Sequence, residues 1–161
     1  NGKGAEMRTL VVYYSRKGHT AQLAKHIAKE LAAETEEIVD RKKRGGPLGW
    51  MSAGRESMSD IPAEIEEPKC DPAGYELVVI GTPVWAGRIS TPARAYCRRF
   101  AGKFPQLAFF TTSAGENQGT FEHMASLAGK APKATLAVPN REQKAGAHAA
   151  KVQEFVGKLK A

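Results

Sequence analysis

The stretch Thr9–Thr20 reads TLVVYYSRKGHT and joins an apolar segment to a polar loop. Its first six residues are β-branched, aliphatic or aromatic, which is typical of a strand buried on both faces of a parallel sheet. After the loop, Leu23, Ile27 and Leu31 recur at every fourth position and predict a helix with one apolar face. This order of strand, loop and helix indicates the first crossover unit of an α/β fold.

The same alternation recurs along the rest of the chain. Four further segments predict strands: Glu36–Asp40, Leu77–Thr82, Gln106–Thr111 and Ala134–Val138. Thr91 and Thr120 are candidate N-caps of the helices that follow two of these strands, and Val152–Leu159 carries the apolar stripe of a last helix. The pattern therefore predicts an α/β protein with a doubly wound, five-stranded parallel sheet and helices on both of its faces.

Length and composition bound the organisation of the chain. Its 161 residues suit one domain, and 42% apolar with 25% charged residues is the composition of a globular protein. We expect residues 7–161 to form that domain and interpret residues 1–6 as a cloning remnant or a disordered N-terminus. No apolar run approaches the ~18 residues needed to span a membrane. No signal peptide is recognised, and the two cysteines favour a reducing, cytoplasmic environment.

The chain is basic, with 24 Lys and Arg residues against 17 Asp and Glu, a net charge of +7. This balance is compatible with an acidic protein, a membrane surface or a nucleic acid, and charge alone is weak support for the last. The long segment 41–74 interrupts the alternation with the basic run Arg41–Arg44 and the apolar pair Trp50-Met51. Loops of this length are often functional. We expect Gly49–Ser59 to form a short helix, and Trp50 either to cover a ligand or to pack on the core.

The loop Ser15–Thr20 has the chemistry of an anion site. A turn from a buried strand into a helix exposes unpaired N–H groups at the positive end of the helix dipole, and Gly18 allows the backbone to curl around an anion. Neither the P-loop pattern nor the G-x-G-x-x-G dinucleotide pattern is present. From these residues alone, a phosphate site and an ordinary strand-to-helix turn remain equally good interpretations.

Three loops together resemble the flavodoxin family. The segment Val11–Thr20 is similar to the flavodoxin phosphate loop, Gly81–Gly87 (GTPVWAG) to its second flavin loop, and Thr111–Gly115 lies where the third would fall. The resemblance runs from Arg8 to about Lys160 and implies the strand order 2-1-3-4-5, with FMN bound at the carboxyl ends of the strands.

The resemblance implies a role for each loop residue. The FMN 5′-phosphate would be bound by Ser15, Lys17, Gly18, His19 and Thr20, with Arg16 in the same loop. One side of the flavin ring would be lined by Thr82, Pro83, Val84, Trp85, Ala86 and Gly87. The pyrimidine end would be flanked by Ser113, Ala114, Gly115 and Glu116, with Gly119 nearby. Trp85, in a Gly/Pro loop, is expected to be half exposed and to stack on the flavin, although a core position is the alternative.

The implied function is electron transfer, with the flavin cycling between oxidised, semiquinone and hydroquinone states. The alternative is a small FMN-dependent oxidoreductase, such as an NAD(P)H:quinone reductase or a flavodoxin-like porphyrinogen dehydrogenase. Flavodoxins are typically acidic, whereas this chain is basic, so an acidic ferredoxin-like protein or a reductase becomes the expected partner. The basic run Arg41–Arg44 would otherwise steer an anionic substrate.

Other chemistries find no pattern in the sequence. A receiver domain needs acidic residues where Tyr14, Ser15, Ile80 and Gly81 stand. A phosphatase needs C-x-x-x-x-x-R, which neither Cys70 nor Cys97 begins. No metal-ligand spacing and no nucleophile-plus-base pattern occurs, so no catalytic residue and no metal are predicted, and both cysteines are expected to be structural.

Overall fold

The computed structural model describes residues 7–41, 64–114 and 119–161 of the chain. The strands are β1 (Thr9–Tyr13), β2 (Glu34–Glu37), β3 (Leu77–Trp85), β4 (Arg88–Ile89), β5 (Gln106–Ser113) and β6 (Thr135–Pro139). The helices are α1 (His19–Leu31), α2 (Thr91–Arg99), α3 (Thr120–Ala128), α4 (Asn140–Lys144) and α5 (Ala149–Lys160), with a 3-10 turn at Pro72–Gly74. None of the helices in this described part is long and apolar enough to cross a membrane.

Five strands form one parallel sheet in the order β2-β1-β3-β5-β6. When the strands are renumbered without the two-residue strand β4, this order becomes 2-1-3-4-5, as the resemblance implied. The predicted fold class is therefore confirmed. β4 is an addition that the sequence did not predict, and it pairs antiparallel with the end of β3.

The central strands carry apolar side chains on both faces of the sheet, and helices cover both faces. Val11 and Tyr13 of β1 point into one core layer, which is completed by α1 and α5. Leu10 and Val12 point into the opposite layer, against α2 and α3. Alternate residues of one strand therefore enter two separate cores, as expected for a doubly wound sheet.

Some predicted boundaries were wrong. The second strand spans Glu34–Glu37 instead of Glu36–Asp40, because pairing with β1 sets Leu10 opposite Glu34. The N-cap of α2 is Ser90, whose Oγ accepts a hydrogen bond from the N–H of Ala93 at 3.4 Å, and Gly119 instead of Thr120 precedes α3. Helix α4 was not predicted at all. Our expectations for residues 1–6, Gly49–Ser59 and the pair Gly115-Glu116 lie outside the described residues.

Candidate functional site

A cleft of about 140 Å³ lies at the carboxyl ends of the strands, where the three predicted loops meet. Its lining comprises Arg16, Lys17, His19 and Thr20 of the first loop, Pro83, Val84 and Trp85 of the second, Thr112, Ser113 and Ala114 of the third, and Asn140 of α4. Ligands of open α/β sheets bind at this edge. The structure thus brings together residues from all three loops, as predicted.

The first loop is held by Ser15. Its Oγ accepts hydrogen bonds from the backbone N–H groups of Gly18 and Ala21, both at 3.1 Å. Gly18 precedes α1 with φ 103° and ψ −14°, a left-handed conformation that favours glycine. Ser15 therefore stabilises the turn itself, a role that the sequence did not reveal.

Backbone donors remain at the entrance of α1. Among the described residues, no hydrogen bond uses the N–H groups of Lys17, His19 or Thr20. The first turn of α1 also carries no acidic side chain. Unused N–H groups at the positive end of a 13-residue helix are suited to an anion. This geometry favours the phosphate-site interpretation over an ordinary turn.

A buried hydroxyl pair joins the first loop to the third. Thr20 Oγ1 and Thr112 Oγ1 lie 2.8 Å apart, and each residue is only 2% exposed. Two hydroxyl groups carry two hydrogens, and their mutual bond uses one of them. The second hydrogen is therefore available to an acceptor in the cleft that both residues line.

Helix α4 borders the cleft and contacts the first loop. Gln143 Nε2 donates a hydrogen bond to the carbonyl oxygen of His19 at 2.8 Å, across 124 positions of the chain. Asn140 lines the cleft, and its buried Oδ1 has no hydrogen-bond partner among the described residues. Sequence reasoning missed both amides, since the only available signal was the position of Asn140 two residues after the predicted strand Ala134–Val138.

The second loop is shorter than the sequence indicated. β3 continues to Trp85, and Ala86 and Gly87 form a two-residue turn with φ 51° and 76°, the geometry of a tight hairpin. Both turn residues are exposed, and neither lines the cleft. Thr82 is fully buried, with its Oγ1 2.8 Å from Ser90 Oγ and 3.2 Å from the N–H of Ser90. Thr82 thus ties β3 to the start of α2 and does not line the cleft.

The expected exposure of Trp85 was wrong. Trp85 is 8% exposed and meets Tyr14 edge to face, with ring centroids 5.5 Å apart at 88°. Its burial follows from the hairpin, which pairs Trp85 with Arg88 and folds β4 back along β3. Trp85 therefore forms a wall of the cleft, and stacking on a flavin stays a prediction.

The third loop is described only in part. Ser113 and Ala114 line the cleft, and their place at the pyrimidine end of FMN stays a prediction, whereas Gly115 and Glu116 lie outside the described residues. Gly119 caps the start of α3 and is not among the residues of the cleft.

A larger cavity of about 300 Å³ lies at the opposite edge strand β2. It contains none of the predicted site residues, and its lining includes Glu36, Glu37, Glu66 and Glu67. Carboxylates repel a phosphate, so the smaller cleft suits an anionic ligand better.

Cys97 is fully buried, and this burial raises the pKa of its thiol to about 12, against a smaller opposing effect of Arg98. Such a thiol stays protonated and is structural, as expected.

The strand order and the cleft at the carboxyl ends define a flavodoxin-like α/β fold, as the resemblance in the sequence implied. No protein-family model and no curated protein sequence matches the chain. Several solved structures do match the chain. A flavoprotein of Lactobacillus acidophilus NCFM in complex with FMN is 25% identical, with a TM-score of 0.72 over 86% of this chain and 97% of that chain.

Two other solved structures support the fold. A protein of Bacteroides uniformis ATCC 8492, described as a flavoprotein, is 23% identical, with a TM-score of 0.73 over 90% of this chain and 98% of that chain. The two-electron reduced flavodoxin of Megasphaera elsdenii is 13% identical, with a TM-score of 0.55 over 94% of this chain and 98% of that chain.

Proposed function

We propose that residues 7–161 form one FMN-binding domain that transfers electrons to and from a redox partner. The observation that carries this proposal is the entrance of α1, where unused N–H groups meet the buried pair of Thr20 and Thr112 in a cleft shared by three loops. The FMN complex of the Lactobacillus acidophilus flavoprotein supports the choice of cofactor.

Different lining residues would bind different parts of FMN. The first loop and Thr20 would hold the phosphate through neutral donors, with Lys17 adding positive charge beside it. Pro83, Val84 and Trp85 would cover one side of the ring with apolar surface and exclude water from it. Bound FMN supplies the redox chemistry. The protein's own contribution is to orient the cofactor and to limit access to it.

Both cysteines are free thiols, which fits a reducing compartment, and we place the protein in the cytoplasm on that ground. The alternative function is an FMN-dependent oxidoreductase that uses NAD(P)H. The cationic side chains of Arg16 and Lys17 in the cleft favour an anionic second reactant, which suits either function.

Titration with FMN tests the cofactor. We expect the protein to quench flavin fluorescence at micromolar concentration and to become yellow, because the cleft supplies phosphate donors and an apolar wall. Unchanged fluorescence would contradict the proposal. Steady-state oxidation of NAD(P)H by the loaded protein with a quinone then separates the two functions, since an electron carrier alone shows no turnover.

The charge around the cleft predicts how the partner approaches. Arg141 and Lys144 are exposed on α4 beside the cleft. The only carboxylate of that helix, Glu142, lies 2.7 Å from Lys151 Nζ. A cationic rim raises the association rate with an acidic protein and makes that rate depend on salt.

Reversing these charges should slow the reaction with an acidic redox protein. We expect the double variant Arg141→Glu/Lys144→Glu to lower the second-order rate constant on the order of tenfold at low salt, with the difference vanishing at high salt. Stopped-flow reduction of an acidic ferredoxin measures it. Lys158→Glu is the control. Lys158 is next to Leu159 near the end of α5, and the carbonyl oxygen of Leu159 accepts a hydrogen bond from Lys133 Nζ. Lys133 lies just before the amino end of β6, so Lys158 lies away from the cleft at the carboxyl ends of the strands. Equal slowing by both variants would contradict docking at the cleft.

A further inference from the structure

Asn140 is the residue of the cleft that no sequence pattern assigned. It follows Pro139, which pairs with Ser113 of the third loop, and three residues later Gln143 reaches the carbonyl oxygen of His19. Asn140 is therefore anchored close to both the phosphate loop and the third loop, and it lines the cleft. Its side-chain Oδ1 is buried and has no hydrogen-bond partner in the part of the chain that the structure describes.

We propose that Asn140 binds the ribityl chain of FMN by accepting a hydrogen bond from one of its hydroxyl groups; this inference rests on the FMN site proposed above. A buried acceptor without a partner is costly, so it marks a place where a ligand donor belongs. Of the three parts of FMN, the ribityl chain is the one that offers hydroxyl donors along its whole length.

The phosphate is a poor partner for this oxygen. A phosphate dianion presents only acceptors, and two acceptors repel each other. The described donors for the phosphate lie instead at the entrance of α1 and at the Thr20–Thr112 pair, where N–H and O–H groups are unused. In the described part of the cleft, an anion end rich in donors therefore lies beside the unpaired Oδ1 of Asn140.

Gln143 positions this arrangement from the same helix. Its Nε2 holds the first carbonyl of α1, which fixes the distance between α4 and the phosphate loop. Asn140 and the loop therefore contact neighbouring parts of one ligand at a set spacing. Asn140 is thus a cofactor-binding residue and Gln143 a positioning residue, because Gln143 contacts the loop and is not among the lining residues.

Three flavins that differ only in their side chain test the assignment. Lumiflavin has no ribityl chain, riboflavin has the chain without phosphate, and FMN has both. We expect Asn140→Ala to weaken riboflavin and FMN by the same factor, about fivefold each for one neutral hydrogen bond, and to leave lumiflavin unchanged. Dissociation constants come from fluorescence titration of the full chain, and thermal unfolding shows that each variant is folded.

Asn140→Asp is the matched variant. Its carboxylate keeps an acceptor oxygen at the same position, so riboflavin should bind as tightly as to the unchanged protein. FMN should bind more weakly, because the new charge repels the phosphate. Recovery of riboflavin binding by this variant is a result that a merely structural role of Asn140 does not produce.

Each other outcome overturns the inference. A loss for FMN alone would show that the amide N–H groups face the phosphate. Equal losses for all three flavins would show that Asn140 only shapes the cleft, and no loss would show that the ligand does not reach it. If the unchanged protein binds none of the three flavins, the proposed function fails first and this inference fails with it, so the two failures are distinguishable.

Discussion

Gly81→Ala is expected to lower the free energy of unfolding by about 3 kcal/mol, since a methyl group there overpacks the core. A Cβ at Gly81 would lie 2.0 Å from Cζ and 2.4 Å from both Cε atoms of the Phe110 ring. Gly81 and Phe110 are partners in the β3–β5 register, and the ring fills the space that a side chain would occupy. Phe110 is fully buried, so the ring cannot swing out to solvent. Urea denaturation measures the change.

Gly157→Ala is the control for this substitution. Gly157 lies in α5, where an added Cβ meets nothing within 4 Å. Alanine there should raise stability by up to about 1 kcal/mol, because glycine is a poor helix former. The double variant Gly81→Ala/Phe110→Leu should be less destabilised than the two single changes added together, since the smaller side chain removes the clash. Full additivity would contradict the contact between Gly81 and Phe110.

The central strands could be predicted because they consist of consecutive apolar residues, which is the pattern of a strand buried on both faces. Val11 and Val12 are neighbours that face opposite cores, and both are fully buried. Such a strand is apolar throughout, so a local pattern is enough to find it. β2 is different, because its sequence ETEE is polar. It lies at the edge of the sheet, where its first and last residues are determined by backbone pairing with β1 and not by apolar side chains. The strand predicted from the sequence therefore began two residues too late.

The candidate site divides in the same way. The first loop was found because the strand, the glycine and the hydroxyl side chains of the loop are all local signals. Gln143 and His19 meet across 124 positions, a contact that no local pattern encodes. The burial of Trp85 likewise depends on its pairing with Arg88 in a hairpin, which the sequence interpretation had treated as an open loop. The predictable part of the site is therefore the part built from consecutive residues.

The hydroxyl of Thr20 is the group in the cleft whose loss should weaken FMN most. We expect Thr20→Val to raise the dissociation constant of FMN roughly 10- to 100-fold, as for a hydrogen bond to a charged group, and that of riboflavin far less. The shape of the side chain is retained while the donor is removed. Thr20 is buried beside Thr112 at the entrance of α1, so the lost hydrogen is one that the phosphate would accept. Fluorescence titration with both flavins measures the two effects.

Thr20→Ser separates the hydroxyl from the methyl group. It keeps the donor, so FMN should bind nearly as tightly as to the unchanged protein. Thr112→Val removes the other member of the pair at 2.8 Å. If Thr112 only orients Thr20, this change should weaken FMN less than Thr20→Val does. Equal loss of riboflavin and FMN on Thr20→Val would mean that the hydroxyl pair supports the cleft as a whole, and the entrance of α1 would then no longer be assigned to the phosphate.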